Sequence, residues 1–477
     1  MNFTYYCMNL QLKCTSCHYF VISLFQKQKM EVSSCLLSVF VVMLAIQTCY
    51  AKPTETKQKW GYVEVREHAH MFWWFYQSYQ LRPAAPLVMW LQGGPGASGC
   101  GFGNFEEIGE LDTSMKVRNY SWIQRANLLF VDNPVGAGFS YVSDPSAYTR
   151  NVSQIAEDLF TLFKNFLDAM PMYETYPFYI FAESYGGKMT SAFGTRLLRG
   201  IKNKEIKSDF RGVALGDSWI SPVDSVITWG PYLYQFNLLD KKDLNAVMDY
   251  AQGCVDAVAK GRYEYATELW DKTEVVIDST TDSVNVYNVL QHHPGAPWKS
   301  SPLKSHFPHS HPKPHLQRLY SRHVGRYEGQ SLTEFMNGPI RKKLGVIPEN
   351  VSWGGQSGDV FRYQSGDFMR DVLKDVDTLL DNEISVTVFQ GQLDMICDTP
   401  GAEMWINKLK WKHVKEFFNA KRKAVYLDSS WQEGKTQAFV KKYRNLQLFY
   451  IMKAGHMVPA DNPPMALKML SMITGSW

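Results

Sequence analysis

The sequence predicts an α/β fold, with a mostly parallel central sheet, helices on both faces and an inserted helical cap. Short apolar runs typical of buried strands alternate with helical stretches such as 153–170. Alternation of this kind favours parallel strands that are covered on both faces. Between residues 217 and 370 the alternation stops and amphipathic helical segments replace it, which indicates an insertion.

The expected strands begin with an antiparallel pair in the aromatic-rich region from Trp60 to Gln80. The remaining strands are predicted at 86–91, 127–132, 177–182, 211–216, 386–391 and 446–452. The core is therefore expected in two parts, residues 52–216 and 371–477, with the cap of residues 217–370 between them. Cap helices are expected at Leu239 to Lys260, Arg262 to Asp278 and Leu332 to Leu344.

The composition is that of a large globular protein. With 477 residues, of which 45% are hydrophobic and 14% aromatic, the chain can bury a large core. The formal net charge of +4 is mild, and no basic stripe with interleaved aromatic residues occurs. Nucleic acid is therefore not an expected partner.

Residues 1–51 are predicted to be a signal-peptide region. An apolar run from Cys35 to Thr48 follows two lysines and precedes Ala51, after which cleavage is expected. Met30 is the predicted start, because a signal that begins there has an ordinary length. The alternative is an uncleaved anchor, but the run is shorter than the roughly 20 residues that span a bilayer. We expect a secreted or lysosomal protein without a stable membrane anchor.

Sequons and cysteines agree with a secretory route. Glycosylation is expected on surface loops at Asn119, Asn151 and Asn350. After removal of the signal region the cysteines are Cys100, Cys254 and Cys397. One bridge at most is possible among three cysteines, so no disulfide framework is predicted and their pairing stays open.

The pentapeptide from Ala182 to Gly186 carries the first chemical signal. It follows the apolar run Pro177–Phe181 and precedes a helical segment, so it predicts a strand, a sharp turn and a helix. Such an elbow exposes the hydroxyl of its central residue, Ser184, as a nucleophile and aims the Tyr185 N–H at an incoming carbonyl oxygen. The alternative is an ordinary strand-to-helix turn with a buried serine.

A serine nucleophile needs a base and a carboxylate that orients the base. Asp394 lies just beyond the predicted strand at 386–391, and His456 follows the strand at 446–452. Ser, Asp and His in this order, each after a strand, is the chain order of an α/β-hydrolase triad. The sequence therefore predicts Ser184 as nucleophile, His456 as base and Asp394 as the orienting acid.

Each partner of the serine has an alternative. Asp398 lies close to Asp394, and either could instead cap the helix that opens near Thr399. Asp394 is preferred because it is closer to the end of the strand. His456 could be a packed loop histidine, although the flanking Gly455 favours a fixed, exposed turn.

Acyl transfer also needs N–H donors that face the developing oxyanion. The predicted strand at 86–91 ends in a glycine-rich loop, where bare backbone can approach a ligand closely. The Gly94 N–H is the candidate donor that completes an oxyanion hole with Tyr185. The alternative is a plain Gly-Pro turn.

From Tyr62 to Met469 the chain resembles the serine carboxypeptidase family. The motifs that carry the resemblance are Met71–Trp74, Leu87–Gly96, Phe102–Gly109, Val131–Gly136, Gly138–Tyr141, Ala182–Gly186, Gly212–Ser225, Asn337–Leu344 and the blocks around Asp394 and His456. The resemblance implies an α/β-hydrolase fold and the release of C-terminal amino acids from peptides and proteins through an acyl-enzyme at Ser184. It implies no cofactor and no metal.

The same resemblance implies that Trp90, Gln92 and Glu183 hold the terminal carboxylate of the substrate. A carboxyl group can bind a carboxylate only if one of the two is protonated, so we expect the peptidase to act best in acid. A purely structural role of Glu183 at the elbow is the alternative.

The chain departs from most family members at two positions. Ala182 stands where a glycine is usual, and Gln92 stands where an asparagine is usual. These departures leave the terminal-residue preference and the efficiency open. Two other functions also stay open: an esterase or acyltransferase that uses the same triad, and a catalytically weak secreted binding protein.

The cap contains a His- and Pro-rich segment at 292–323. Its histidines are His292, His293, His306, His309, His311, His315 and His323. A metal site is conceivable, because clustered histidines bind zinc. A loop without fixed geometry is the preferred interpretation, because prolines abound and neither cysteines nor paired acidic ligands accompany the histidines.

Overall fold

The computed structural model describes residues 56–79, 85–292, 313–427 and 435–476, and all elements below lie in the unit Lys57–Trp477. The predicted signal region and most of the His-rich segment lie outside the described residues. No helix in the described ranges is both long enough and apolar enough to cross a membrane.

The core is one sheet, to which the described residues contribute eleven strands. In chain order these are β1 Gln58–Arg66, β2 Ala69–Tyr76, β3 Leu87–Leu91, β4 Asn127–Val131, β5 Tyr141–Val142, β6 Pro177–Glu183, β7 Asp209–Gly216, β8 Ser385–Gly391, β9 Lys423–Val425, β10 Ala438–Tyr443 and β11 Leu446–Ile451. Their spatial order is β1-β2-β4-β3-β6-β7-β8-β11-β10-β9, with β5 beside β2. The predicted strands are therefore present, and the predicted mostly parallel α/β fold is confirmed.

The parallel and antiparallel parts of the sheet are separate. Strands β4, β3, β6, β7, β8 and β11 pair in parallel and form the centre. The outer strands pair antiparallel. The central strands β3 and β4 are buried along their whole length, as expected for parallel strands with helices on both faces.

Alternate side chains of the strands enter two hydrophobic clusters, one on each face of the sheet. In β2, Met71 and Trp73 belong to one cluster, and Phe72 and Trp74 to the other. This alternation follows from the two-residue period of a strand. The aromatic block at the start of the chain is thus core of the sheet.

Fourteen α-helices occur in the described ranges. They are α1 Val152–Ala169, α2 Tyr185–Lys202, α3 Pro222–Gln235, α4 Lys241–Ala259, α5 Tyr263–Thr280, α6 Pro314–Tyr320, α7 Gln330–Phe335, α8 Arg341–Leu344, α9 Ser357–Tyr363, α10 Leu373–Asp381, α11 Thr399–Lys408, α12 Val414–Asn419, α13 Val458–Asp461 and α14 Pro463–Thr474. Wider π-helical turns are at Gly99–Ile108, Ser321–Gly325 and Met336–Ile340, and 3₁₀ turns are at Trp122–Gln124, Pro145–Ala147 and Pro171–Thr175.

Helix α1 shows why these helices form where they do. The Asn151 side chain caps its first turn by accepting a hydrogen bond from the Gln154 N–H at 3.0 Å. One helical face buries Leu159, Phe163 and Phe166 in the core. The Phe163 ring stacks on Phe178 of β6 with ring centroids 4.2 Å apart. The amphipathic pattern thus attaches the helix to the strand that leads to Ser184.

The segment between β7 and β8 contains helices α3 to α9 where the sequence analysis places the cap. The predicted helix from Leu332 to Leu344 is not continuous, since α7 and α8 are separated by the π-helical turn Met336–Ile340. Pro339 lies in this turn and has no N–H to donate to an α-helical ladder.

The cysteines of the described chain, Cys100, Cys254 and Cys397, are all buried and unpaired.

Candidate active site

Ser184 lies between the end of β6 and the start of α2, in a strained backbone conformation. Its φ is 61° and its ψ is −129°, values that a residue other than glycine adopts at a cost. The Ser184 N–H donates to the carbonyls of Gly216 at 3.0 Å and Asp217 at 3.1 Å, both at the end of the neighbouring strand. The sheet therefore holds the strained turn in place.

Two glycines after Ser184 leave no room for a side chain, because neighbouring atoms lie too close. A Cβ on Gly186 would lie 2.4 Å from the Leu91 carbonyl oxygen, and one on Gly187 would lie 2.1 Å from the Ser218 Oγ. Ala182, in contrast, is fully buried in the core cluster below the elbow. Its methyl group therefore fits at a position where the sequence analysis expects glycine to be usual.

His456 and Asp394 form a hydrogen-bonded pair. The His456 Nδ1 lies 2.8 Å from the Asp394 Oδ2, and both side chains are buried. Asp394 also accepts the N–H groups of Ile396 at 2.9 Å and Cys397 at 3.1 Å. An ionised carboxylate only accepts, so Nδ1 carries the proton and Nε2 is the basic nitrogen. That Nε2 is buried without a hydrogen-bond partner in the described structure.

Asp398, the alternative acid, has another task. Its Oδ1 caps α11 by accepting the Gly401 N–H at 3.2 Å, and it also accepts the Thr228 hydroxyl at 2.7 Å. Burial raises the pKa of Asp398 well above its usual range. It is therefore Asp394, and not Asp398, that contacts the imidazole.

One small cavity brings the predicted groups together. Its lining consists of Gln92, Gly93, Gly94, Ala97, Glu183, Ser184, Tyr327 and His456. The predicted nucleophile, base, oxyanion loop and two of the carboxylate-binding residues thus share one cleft at the carboxyl ends of the parallel strands. Ligand sites of α/β sheets usually lie at this edge.

The glycine-rich loop runs directly against the nucleophile. A Cβ on Gly93 would lie 2.5 Å from the Ser184 Cβ and 3.1 Å from its Oγ, so only glycine fits. The Gly94 φ of 109° also favours glycine. Within the described chain, neither the Gly94 N–H nor the Tyr185 N–H donates to another backbone carbonyl. Both donors are therefore available for a ligand oxygen.

Trp90, Gln92 and Glu183 form a buried chain of hydrogen bonds. The Trp90 Nε1–H donates to the Gln92 Oε1 at 2.7 Å, and the Gln92 Nε2–H donates to the Glu183 Oε1 at 2.9 Å. The other carboxyl oxygen of Glu183 is buried without a partner. The longer side chain of Gln92, compared with asparagine, still reaches Glu183.

Glu107 is a site residue that the sequence analysis does not single out. It lies on the π-helical turn Gly99–Ile108, and burial raises its pKa to about 7. Burial and the neighbouring Glu107 carboxyl raise the pKa of Glu183 well above its usual range. Both carboxyls therefore keep their protons at pH values where ordinary carboxyls are ionised. The motif around Glu107 is visible in the sequence, but its approach to Glu183 depends on the folded loop.

Asp217 is a second carboxyl that the sequence does not assign to the site. Its backbone carbonyl supports the elbow, and its Oδ1 accepts the Gly391 N–H at 2.8 Å. Burial and then the charge of Asp394 raise the pKa of Asp217 well above its usual range.

One group of described residues has potential metal ligands close together. Ligand atoms of Asp394, Cys397 and His456 lie within 4.8 Å of one another. The Nδ1 of His456 is already occupied by Asp394. Burial raises the pKa of the Cys397 thiol, which keeps it protonated and a poor ligand. The set fits a proton relay better than a metal site.

Comparisons with known proteins agree with this geometry. The family model described as serine carboxypeptidase matches residues 50–475. The chain is 49% identical to the retinoid-inducible serine carboxypeptidase of Mus musculus over 457 residues, which cover 92% of this chain and 98% of the mouse protein. It is 51% identical to the Homo sapiens protein of the same name, with 88% and 92% of the two chains covered.

More distant relatives extend the comparison. Serine carboxypeptidase-like 51 of Arabidopsis thaliana is 39% identical, with 89% of this chain and 93% of the plant protein covered. A crystal structure of a prohormone-processing carboxypeptidase from Saccharomyces cerevisiae superposes with a TM-score of 0.73 at 19% identity. That superposition covers 88% of this chain and 91% of the yeast chain, and it shows a shared fold.

Proposed function

The chain belongs to the serine carboxypeptidase family and is a serine-type carboxypeptidase, and we propose that it releases C-terminal amino acids from peptides through an acyl-enzyme at Ser184. The observation that carries the proposal is the single cleft lined by Ser184, His456, the Gly93–Gly94 loop and Glu183. It combines groups for acyl transfer with groups for a terminal carboxylate.

The first half of the reaction forms an ester. The Ser184 Oγ attacks the carbonyl carbon of the last peptide bond while the His456 Nε2 takes its proton, and the Asp394 carboxylate stabilises the imidazolium. The N–H groups of Gly94 and Tyr185 bind the oxygen that becomes negative. His456 then gives its proton to the leaving amine, and the terminal amino acid departs.

The second half of the reaction releases the shortened peptide. A water molecule gives a proton to the His456 Nε2 and attacks the ester carbonyl, and the same N–H groups stabilise the charge. The proton returns to Ser184 when the ester bond breaks. All of these steps use side chains and backbone groups of this chain, so the proposal needs no cofactor.

The carboxylate clamp limits the enzyme to chain ends. In the proposed complex, the amide of Gln92 and the protonated Glu183 hold the substrate carboxylate, and the predicted third member, Trp90, acts through Gln92, because its indole N–H donates to the Gln92 Oε1. Raised pKa values of Glu107 and Glu183 support this role, because a carboxyl that keeps its proton can donate to a carboxylate. As pH rises through about 7, Glu107 loses its proton and brings a negative charge close to Glu183, so we propose an acidic optimum.

We also propose a secretory route, with a secreted or lysosomal destination. The apolar leader and the sequons support it. Asn119 and Asn350 are exposed, as acceptors of a glycan must be. Asn151 is half-buried and caps α1 through its Oδ1, which leaves its Nδ2 for a glycan. Glycosidase treatment of the secreted protein, followed by mass measurement of the three peptides, tests these sites.

A pair of matched substrates tests the activity. The chain from Lys52 onward is expressed behind a secretion signal and incubated at pH 5 with a blocked dipeptide and with its C-terminal amide. The proposal predicts amino-acid release from the free acid, little release from the amide, and none from either by Ser184→Ala. Equal turnover of both substrates would instead support an esterase or acyltransferase. No turnover by folded protein would leave a binding protein.

A further inference from the structure

A short segment of the cap touches both partners of the nucleophile, and we call this segment, Asn285–Gln291, the strap. The Tyr287 carbonyl accepts the backbone N–H of His456 at 2.8 Å. The Tyr287 ring meets the imidazole edge to face, with centroids 4.7 Å apart and an interplanar angle of 73°. A Cβ on Gly455 would lie 2.2 Å from the Tyr287 oxygen, so the glycine before His456 makes room for this contact.

The strap also holds the loop that carries Asp394. The Val286 carbonyl accepts the N–H groups of Met395 at 3.0 Å and Ile396 at 3.3 Å. In return, the Leu393 carbonyl accepts the Val289 N–H at 3.0 Å. These backbone bonds enclose Asp394 on both sides. The strap therefore fixes the acid and the base relative to each other.

A buried polar chain anchors the strap in the cap. The Tyr287 hydroxyl lies 2.5 Å from the His323 Nδ1, and the His323 Nε2 lies 3.0 Å from the Glu274 Oε1. Glu274 also accepts the Trp270 indole N–H at 2.6 Å and an Arg322 N–H at 3.0 Å. All five side chains are at most 5% exposed.

The charges around Glu274 determine which nitrogen of His323 carries a proton. Burial alone would raise the pKa of Glu274, but the His323 imidazole and the Arg322 guanidinium outweigh it and hold that pKa below its usual range. An ionised Glu274 only accepts, so the His323 Nε2 carries a proton. Glu274 and His323 thus form a second carboxylate–imidazole pair, which resembles the pair of Asp394 and His456.

We propose that Tyr287, His323 and Glu274 are positioning residues that hold the His456 imidazole in line with Ser184. Glu274 orients His323, His323 holds the Tyr287 hydroxyl, and the Tyr287 ring and carbonyl fix the ring plane and the backbone of His456. The cap then contributes to the rate of the reaction. This inference rests on the proposed role of His456 as the base.

Two conservative variants cut the same hydrogen bond from opposite sides. Tyr287→Phe removes the hydroxyl and keeps the ring and the carbonyl. His323→Gln keeps a donor for Glu274 and withdraws the nitrogen that faces Tyr287. Each is expected to lower kcat on a blocked dipeptide at pH 5 by roughly tenfold with KM changed less than about twofold. The double variant should lose no more than either single variant.

Controls separate this role from general stability and from failure of the proposed function. Tyr62→Phe removes the hydroxyl of a half-buried tyrosine, which donates to the Phe139 carbonyl at 2.8 Å, and should keep the wild-type kcat. Wild-type turnover and its loss in Ser184→Ala establish the proposed function independently. The rate of fluorophosphonate reaction at Ser184 should fall in parallel with kcat, since it also needs an aligned base.

The inference is overturned by any of three results. These are an unchanged kcat in folded Tyr287→Phe, a loss confined to KM, and losses that multiply in the double variant. If Tyr287→Phe does not fold, the kcat and KM of His323→Gln decide the question by the same criteria.

Discussion

Buried carboxyl groups dominate the chemistry at the residue scale. Glu107 interacts with Glu183 of the proposed carboxylate clamp, and Asp217 interacts with Asp394. In each case burial raises the pKa first, and a neighbouring carboxyl raises it further for Glu183 and Asp217. The cleft therefore binds protons in a pH range where ordinary carboxyls are ionised.

Replacing one carboxyl of the pair tests the clamp. In the wild type we expect KM for a blocked dipeptide to rise as pH passes through about 7, because Glu107 loses its proton there and its charge repels the substrate carboxylate. Glu107→Gln has no proton to lose at that position and leaves Glu183 as the single titrating group. Its KM should rise less between pH 5 and pH 8.

Measured pH profiles of KM for the two proteins decide the matter. A Glu107→Gln profile that is superimposable on that of the wild type would show that the pair does not set the acid preference.

Gly93 is the residue whose backbone comes closest to the nucleophile. In Gly93→Ala the new Cβ meets the Ser184 Cβ at 2.5 Å and the Glu183 carbonyl at 2.9 Å, so the loop or the elbow has to move. We expect kcat to fall at least roughly 100-fold, because oxyanion donors and nucleophile lose their alignment.

Gly366→Ala is the matched control for Gly93→Ala. Nothing lies within 4 Å of a Cβ at Gly366. It should therefore keep wild-type kinetics. If Gly93→Ala also kept the wild-type kcat, the close approach of residue 93 to Ser184 would not matter for catalysis, and this prediction would be contradicted.

At the residue scale, the sequence predicts the candidate site residues that directly follow strands. It does not predict those that reach the site on loops, because their position depends on the folded chain. Ser184, Asp394 and His456 each follow a strand that the apolar pattern predicts, and parallel strands end at one edge. Glu107 and Tyr287 reach the site through loops whose path no local pattern encodes. Their placement could only come from the folded chain.

At the scale of elements, the turn that carries Glu107 depends on one buried carboxylate. Asp132 follows β4 and accepts the Ser98 hydroxyl at 2.5 Å, the Cys100 N–H at 3.0 Å and the Phe139 N–H at 2.8 Å. It thereby joins the start of the π-helical turn Gly99–Ile108 to the end of β4.

Asp132→Ala would leave three buried donors without their acceptor. We expect the free energy of unfolding to fall by about 3 kcal/mol, since each unsatisfied buried donor is costly. KM should rise as well, because the turn no longer holds Glu107 against Glu183. Denaturant titration and steady-state kinetics measure the two effects.

Asp144→Ala serves as the control for Asp132→Ala. Asp144 is exposed and caps a single 3₁₀ turn through the Ser146 N–H at 2.8 Å, so it should cost less than about 1 kcal/mol. Equal losses in the two variants would contradict the special role of Asp132.

Strands and helices could be predicted from the sequence where their hydrophobic residues follow one clear pattern. The central strands are continuous apolar runs, and α1 shows a clear helical period, so both appear within a few residues of their predicted positions. Strand β9 has only three residues and lies at the edge of the sheet, and lysines in β9 and its neighbour β10, such as Lys423 and Lys441, obscure the strand pattern. The helix predicted up to Leu344 is divided because Pro339 interrupts its hydrogen bonding.

On the scale of the whole molecule, the buried carboxyls link folding to pH. Burial raises the pKa of Asp132 to about 6, of Glu107 to about 7 and of Glu328 to about 8. The unfolded chain releases these protons near pH 4, so between that pH and the folded values it binds fewer protons than the native state. Stability should therefore decline as pH rises from about 4 towards 8.

Thermal unfolding between pH 5 and pH 8 tests this linkage. We expect the midpoint to be highest in the acidic range and to fall by at least about 5 °C at pH 8. Glu328→Gln removes one titrating group but keeps an acceptor for Tyr320 and Ser357. Its midpoint should decline less above pH 6. A wild-type midpoint that is constant or rises with pH would contradict the linkage.

We propose above that Ser184 is the nucleophile of a carboxypeptidase. Mass spectrometry after reaction with a fluorophosphonate at pH 5 tests it most directly, with amino-acid release from a blocked dipeptide measured on the same samples. We expect one adduct, on the peptide that contains Ser184, and a loss of amino-acid release in proportion to labelling. An adduct on another residue, or release that persists when Ser184 is fully labelled, would contradict it.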